Sequence, residues 1–344
     1  MKTRLTSLLL AGLFLPAAAG AMCICFPCPD CDLQSAGQLN FVVMDREDGL
    51  LHLIPNIRIV GSAGDFALVI PTPGVPEIST MEATIWDEAL DLTKPVFLQR
   101  TSDGGMGCGA QSSARFLASP PGSDAEGEDD GVTVIAEQTV GAFHVVTLGA
   151  PDPNELVNWL RDNGYDLSGL TAELIAPLVE RGWVFTAMKL LEGFAPPDRW
   201  DANVDPVLIT FEAENLEVPL SFLSINRAPS LPMAFFIVDD HRTTLPGFDE
   251  TYANAISRSE HAAIAERYPT LGTLIRPGTF LTRLDRTFGP DDAMTESIQL
   301  ARAPNDEEFR RTLNAALNSF PGALLLLSGL LLGFERIRRR AARN

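Results

Sequence analysis

Gln38-Leu39-Asn40-Phe41-Val42-Val43-Met44-Asp45 and Leu51-His52-Leu53-Ile54-Pro55-Asn56-Ile57-Arg58-Ile59-Val60 are the stretches that decide the fold. Both are rich in β-branched and aromatic residues, and Arg46-Glu47-Asp48-Gly49 between them is turn-prone, so they predict a β-hairpin. Residues 65–70 predict a buried strand, which the prolines at 71, 73 and 76 with Gly74 should end because proline lacks the ladder donor. Working outward, a second hairpin is expected at 132–137 and 142–148, and further strands at 183–191, 207–214, 218–225, 233–239 and 279–285. Helical spacing occurs at 84–92, 154–161 (with Pro153 at its start), 171–181 and 250–267. A last helix is expected from Asn305, with Phe309, Leu313, Ala316 and Leu317 forming its apolar stripe. Strands, then helices, then strands point to an α+β fold with largely antiparallel sheets and interspersed helices rather than a regularly alternating parallel one.

The ends of the chain differ from its middle. Lys2 and Arg4 precede a short apolar run from Leu8 to Leu15, and Ala19-Gly20-Ala21 supplies small residues before Met22. That is the layout of a secretory signal over residues 1–21, cut before Met22. The bulky Met22 ahead of Cys23 argues against lipidation there. Residues 320–334 are uncharged and apolar, and Arg336, Arg338, Arg339, Arg340 and Arg343 follow. Fifteen helical residues span about 22 Å against a hydrocarbon core of about 30 Å, a shortfall that snorkelling arginines and local thinning can reduce. The run therefore reads as a single transmembrane helix or a sorting tail, with a basic cytoplasmic stub at 335–344 under the positive-inside rule. Between these ends lie an extracytoplasmic domain at 22–302, of one or two cores, and a juxtamembrane helix at 303–319.

Charge supports this polarity. The chain has 344 residues and a formal charge of -19, and all of its 45 Asp and Glu except Glu335 lie between the leader and the basic stub. An acidic exterior beside a basic stub is expected of a single-pass envelope protein, with the membrane as its first partner and an envelope protein or glycan as a further one. Nucleic acid is a poor partner, because its phosphates are held by clustered Lys and Arg. Interruption of the middle by charge, Pro and Gly excludes a polytopic membrane protein.

Few motifs carry chemistry. Cys23, Cys25, Cys28 and Cys31 fall within nine residues, with Cys108 remote. Overlapping C-x-x-C spacings could hold zinc or an iron-sulfur cluster, although an exported chain more commonly forms disulfides. A reactive thiol is the third reading, since five cysteines cannot all pair within one chain. No cofactor is expected beyond a possible metal at this cluster. Asp239-Asp240-His241 at a strand end is the best acid/base or ligand candidate, with His144 as another, though strand-end residues in a solvated turn explain the former as well. Gly104-Gly105-Met106-Gly107 lacks the flanking strand, helix and lysine of a phosphate loop. The acidic run at 124–130 lacks the ligand spacing of a calcium loop, and residues 99–131 read as a long exposed loop.

Several blocks taken together resemble a known bacterial family: Asp65-Phe66-Ala67-Leu68-Val69-Ile70-Pro71-Thr72-Pro73-Gly74-Val75-Pro76-Glu77, Trp159-Leu160-Arg161-Asp162-Asn163-Gly164-Tyr165-Asp166-Leu167, Arg181-Gly182-Trp183-Val184-Phe185, and Leu281-Thr282-Arg283-Leu284-Asp285-Arg286-Thr287-Phe288. With the cysteine-rich start, they are similar to the domain of unknown function 2330 family, from about residue 23 to 302. The resemblance implies an exported envelope protein and supplies no activity or catalytic residue. The leading expectation is a membrane-anchored binding or structural ectodomain. The alternatives are an extracytoplasmic thiol-dependent or hydrolytic enzyme, using Cys108 or an N-terminal cysteine with His144 or His241, and a metal or redox module at the cysteine cluster.

Overall fold

The computed structural model of the chain describes residues 18–20, 24–27, 32–62, 66–98, 128–129, 131–165, 169–194 and 199–314. They belong to two compact units, one of residues 1–94 and 113–311 and a smaller one of 95–112 and 312–344. In the smaller unit Val96–Leu98 and Thr312–Asn314 pair in parallel.

The first hairpin is the spine of the larger unit. Leu33–Asp45 and Leu50–Ser62 are antiparallel strands of 13 residues each, paired from Asp45 opposite Leu50 to Leu33 opposite Gly61 with one register shift between Ser35 and Gly37. Their turn closes because Asp45 Oδ1 accepts the N–H groups of Glu47 and Asp48 at 3.2 and 3.3 Å, and Gly49 takes the left-handed φ of 68°. Seven more strands assemble around this hairpin into a nine-stranded sheet. On one side Leu231–Asp239 joins Leu33–Asp45 in parallel, and Phe280–Phe288, Asp249–Ala255 and Phe309–Arg310 continue antiparallel. On the other side Leu50–Ser62 pairs with Val207–Glu212 and with Arg199–Asn203, and Glu77–Thr80 pairs with Val207–Glu212. A second, wholly antiparallel sheet runs in the order Ile24–Pro27, Phe66–Thr72, Val184–Leu190, Phe143–Gly149, Val132–Val140, Glu128–Asp129.

Period-two alternation sorts the side chains into three cores. Val42, Met44, Phe235 and Ile237 of the larger sheet pack with Phe66, Leu68, Ile70 and Met188 of the smaller one, so the sheets lie face to face. The opposite face of the smaller sheet, with Val69, Leu148 and Phe185, is covered by the helices Pro153–Asp162 and Ala172–Val179. The opposite face of the larger sheet, with Phe41, Val43 and Phe236, is covered by Thr84–Thr93, Arg258–Arg267 and Pro269–Leu274. The result is a helix, sheet, sheet, helix layering in which the central strands are buried on both faces. Phe41 and Phe236 stack at 6.2 Å, both fully buried, each contributing about 1.5–3 kcal/mol over an exposed ring.

The α+β class with antiparallel sheets agrees with the expectation, and so do both hairpins and the helix at 84–92. Four local expectations are corrected. The strand at 66 runs through Pro71 to Thr72, because Pro71 sits in register with Phe185 without ending the ladder. Residues 250–267 divide into the strand Asp249–Ala255 and the helix Arg258–Arg267, whose true start is the capping box of Ser257 and Glu260. The strand expected at 218–225 gives way at Pro219, after which Leu220–Leu223 forms a single helical turn. Residues 305–314 do not begin a helix. Phe309–Arg310 extends along Asp249–Ala255, and Arg310 donates to the carbonyls of Leu92 (2.9 Å) and Lys94 (3.3 Å) and lies over the Tyr252 ring. Tertiary pairing overrides the helical stripe. No described helix is long and apolar enough to cross a membrane. The apolar run at 320–334 lies outside the described residues, as do nearly all of the leader and the loop expected at 99–131. Ala18–Gly20, assigned by sequence to the leader, pairs in parallel with Asn215–Pro219 in the intact chain.

Candidate functional site

On the helix-bearing face of the larger sheet, registered rows of side chains cross neighbouring strands. The first row is Ile54, Phe41, Phe236, Arg283 and Tyr252. It is largely apolar and belongs to the core beneath the helices. Two residues along each strand, or three from Tyr252 across the irregularity at Thr251, the row becomes Asn56, Leu39, Ala234, Asp285 and Asp249. Another step brings Arg58 opposite Gly37, and Pro232 opposite Thr287. The latter two rows line a cleft of about 480 Å³. Small residues, Gly37 and Ala234, leave room along it, while polar groups surround it.

Arg283 fixes one wall. It holds Asp285 in a fork, Nε to Oδ2 at 2.9 Å and Nη2 to Oδ1 at 2.9 Å. Its remaining Nη1 donates to Thr93 Oγ1 at 3.2 Å, and the guanidinium lies 5.2 Å from the centre of the Phe236 ring. Thr251, at the irregularity between Glu250 and Tyr252, donates its hydroxyl to Asp285. The covering helix, the strand pair and the cleft wall are thus joined through one arginine.

The other polar groups of the cleft are less committed. Arg58 pairs with Asp201 at 2.6 Å, but both side chains are more than half exposed. Arg286 stacks 4.1 Å from the Phe288 ring centre and stands 3.7 Å from Asp292. Arg311 lines the cleft with its side chain making no ion pair or hydrogen bond to a described residue, while its backbone N–H donates to Thr251 O at 3.1 Å. Asn56 is 3% exposed, and its Oδ1 is enclosed without a hydrogen-bond partner. Leaving such a group unmatched costs about 1–3 kcal/mol.

The residues singled out by sequence lie elsewhere. Asp239 ends the strand Leu231–Asp239 and is buried, with Arg46 forked onto it at 2.9 and 2.7 Å. Asp240 donates its backbone N–H to Asp239 Oδ1 at 2.8 Å. His241 instead faces Asp306, Nδ1 to Oδ2 at 3.0 Å. These residues share the rim of a second pocket of about 350 Å³, but the buried carboxylate and the imidazole are committed to separate partners. His144 lies on the hairpin of the smaller sheet and pairs with Glu137 at 2.7 Å. Cys25 falls in the strand Ile24–Pro27, opposite Leu68. Cys23, Cys28, Cys31 and Cys108 lie outside the described residues. Among the described residues no group of three or more His, Cys, Asp and Glu could hold a metal.

Sequence reasoning missed the cleft. The available signal was polar residues at alternate positions of otherwise apolar strands, Asn56 and Arg58 on one, Arg283, Asp285 and Thr287 on another. Alternation places each set on one face. It does not say that the two faces are the same.

Among solved structures the chain is similar to a Legionella pneumophila protein designated a candidate nutrient-binding protein, at 11% identity and a TM-score of 0.30, covering 82% of this chain and 70% of that one. So low a TM-score bears on neither fold nor ligand. No match was found among curated proteins. Residues 17–301 match the family described as an uncharacterized protein conserved in bacteria (DUF2330), a span covering both sheets except the edge strand Phe309–Arg310, and most of the cleft. The chain therefore belongs to the DUF2330 family.

Proposed function

We propose that the chain is an exported, membrane-tethered envelope protein whose larger unit is a binding ectodomain, with the cleft on the nine-stranded sheet as its ligand site. Its leader and its arginine-flanked apolar end support the location. The observation that carries the binding reading is the unmatched Asn56 Oδ1 at a cleft formed by rows of small and charged residues. An unmatched polar oxygen at a buried position costs stability, and it is the place of Asn56 in the cleft wall, not the missing partner alone, that supports a recognition role. A cleft of this size is also within the usual range for small-molecule sites, roughly 300–1,000 Å³.

The test has two arms. Fractionation of the native host finds the chain in the envelope with its N-terminus cut near Met22; an uncut chain in the cytosol overturns the location. Full-length protein extracted from membranes releases a small molecule on denaturation, detected by mass spectrometry. The Thr287→Trp variant, altered at an exposed position lining the cleft, releases none. Equal release from both proteins overturns the site, and so does no release from either.

A further inference from the structure

The charge around the cleft narrows the ligand further, resting on the binding reading above. The chain as a whole carries -19, so its general field repels anions. The cleft is a local exception, with Arg58, Arg283 and Arg311 against Asp249 and Asp285 among its lining residues, while Arg286 turns its guanidinium to Phe288 on the other face of its strand. Arg283 is already bound in the fork with Asp285. Arg311 has no polar side-chain partner among the described residues. Arg58 holds Asp201 only through a solvent-exposed pair, an interaction typically worth about 0–1 kcal/mol and easily exchanged.

Guanidinium groups match carboxylates through two parallel N–H bonds. The unmatched Asn56 Oδ1 accepts, so its complement is a donor such as a hydroxyl, an ammonium or an amide N–H rather than a bare anion. Asp249 and Asp285 facing the same space disfavour a polyanion. We infer that the cleft takes a small monocarboxylate with hydrogen-bond donors near its acid group, the carboxylate read by Arg311 with Arg58 and the donor-bearing part by Asn56. Amino acids and sugar acids share that chemistry.

Calorimetric titration of the full-length protein in detergent tests the assignment and separates the two sources. The probes are D-galacturonate and L-glutamine, their counterparts lacking the carboxylate, D-galactose and L-glutaminamide, and acetate as a carboxylate without donors. At least one acid is expected to bind ten-fold or more tightly than both its counterpart and acetate. Arg311→Gln, at an exposed position, should remove most of that preference while leaving affinity for the counterpart unchanged. Equal affinity for an acid and its counterpart overturns the carboxylate assignment and leaves the cleft a binding site, as does tightest binding of acetate. Failure of both acids also overturns the assignment. The binding reading falls separately, when native protein releases no small molecule.

Discussion

Asn56 has a neighbour in the same predicament. Asn40 is fully buried on the face between the two sheets, opposite Pro55, and neither atom of its amide has a partner. It is not at the cleft, so replacing it should be beneficial: Asn40→Val is predicted to raise unfolding free energy by about 1–2 kcal/mol, measured by urea denaturation. A loss of similar size would mean that the amide is satisfied after all.

His52 and Asp45 set the acid limb of stability. Burial holds the half-buried His52 imidazole below its ordinary value, opposed by the nearby Asp45, while Nδ1 lies 2.9 Å from Thr210 Oγ1. Below about pH 6.5 the unfolded chain therefore binds a proton that the folded chain resists, and stability falls as pH drops from there toward the lower folded pKa. Asp45 is held below the carboxylate range chiefly by its hydrogen bond to Arg276, at 2.6 Å. That stabilisation is complete above about pH 4 and is lost as pH falls through the depressed value. His52→Gln should flatten the urea-midpoint profile just below pH 6.5, and Asp45→Asn should flatten it below pH 4. Parallel profiles for all three proteins would contradict both assignments.

These residues were only partly legible in sequence. Strands buried on both faces read as nearly continuous apolar runs, so Asn40, His52, Asn56 and Arg58 stand out as exceptions. Whether an exception faces a partner, a cleft or nothing depends on strands nearly two hundred residues away, as the pairing of Leu39 with Ala234 shows.

At the scale of elements, Arg181 joins the turn after Ala172–Val179 to the strand Asn215–Pro219. It forks onto Glu217 at 2.9 and 3.0 Å, donates to Pro177 O at 3.1 Å, and lies 4.4 Å from the Trp183 ring centre. Glu217 is only 3% exposed, whereas the Arg181 side chain is 41% exposed. Arg181→Gln is predicted to cost about 2 kcal/mol, less than a wholly buried pair because solvent reaches the arginine. Arg181→Met combined with Glu217→Leu should recover most of that loss, since no buried charge is then stranded. A double variant as unstable as the single one would place the cost in packing.

Element boundaries were legible where local chemistry fixes them. Pro153 stands at the first position of its helix behind Asp152, whose Oδ1 accepts the Asn154 N–H at 2.7 Å. Ser257 and Glu260 offered an equally local signal within 250–267, but apolar spacing obscured it, and the strand Asp249–Ala255 was absorbed into the helix. The reading at 305 erred for a different reason. Its pattern is helical, but the chain there is held by the edge of a distant strand and by carbonyls at the end of Thr84–Thr93.

For the whole molecule, composition and the order of elements conveyed the class, antiparallel α+β. They did not convey two sheets face to face with helices outside each, because the parallel pairing of Leu33–Asp45 with Leu231–Asp239 has no local signature. That contact places Leu39 beside Ala234 and so creates the cleft. The candidates chosen from sequence were conspicuous residue types, thiols and an Asp-Asp-His run, while the cleft is made of asparagine, arginine and small residues brought together by register.

The most direct test is a crystal structure of the full-length protein purified from native membranes without added ligand. The account predicts non-protein density in the cleft, within hydrogen-bond reach of the Asn56 amide and of at least one of Arg58 and Arg311. A cleft filled by the chain's own residues, with Asn56 bonded to them, would contradict it.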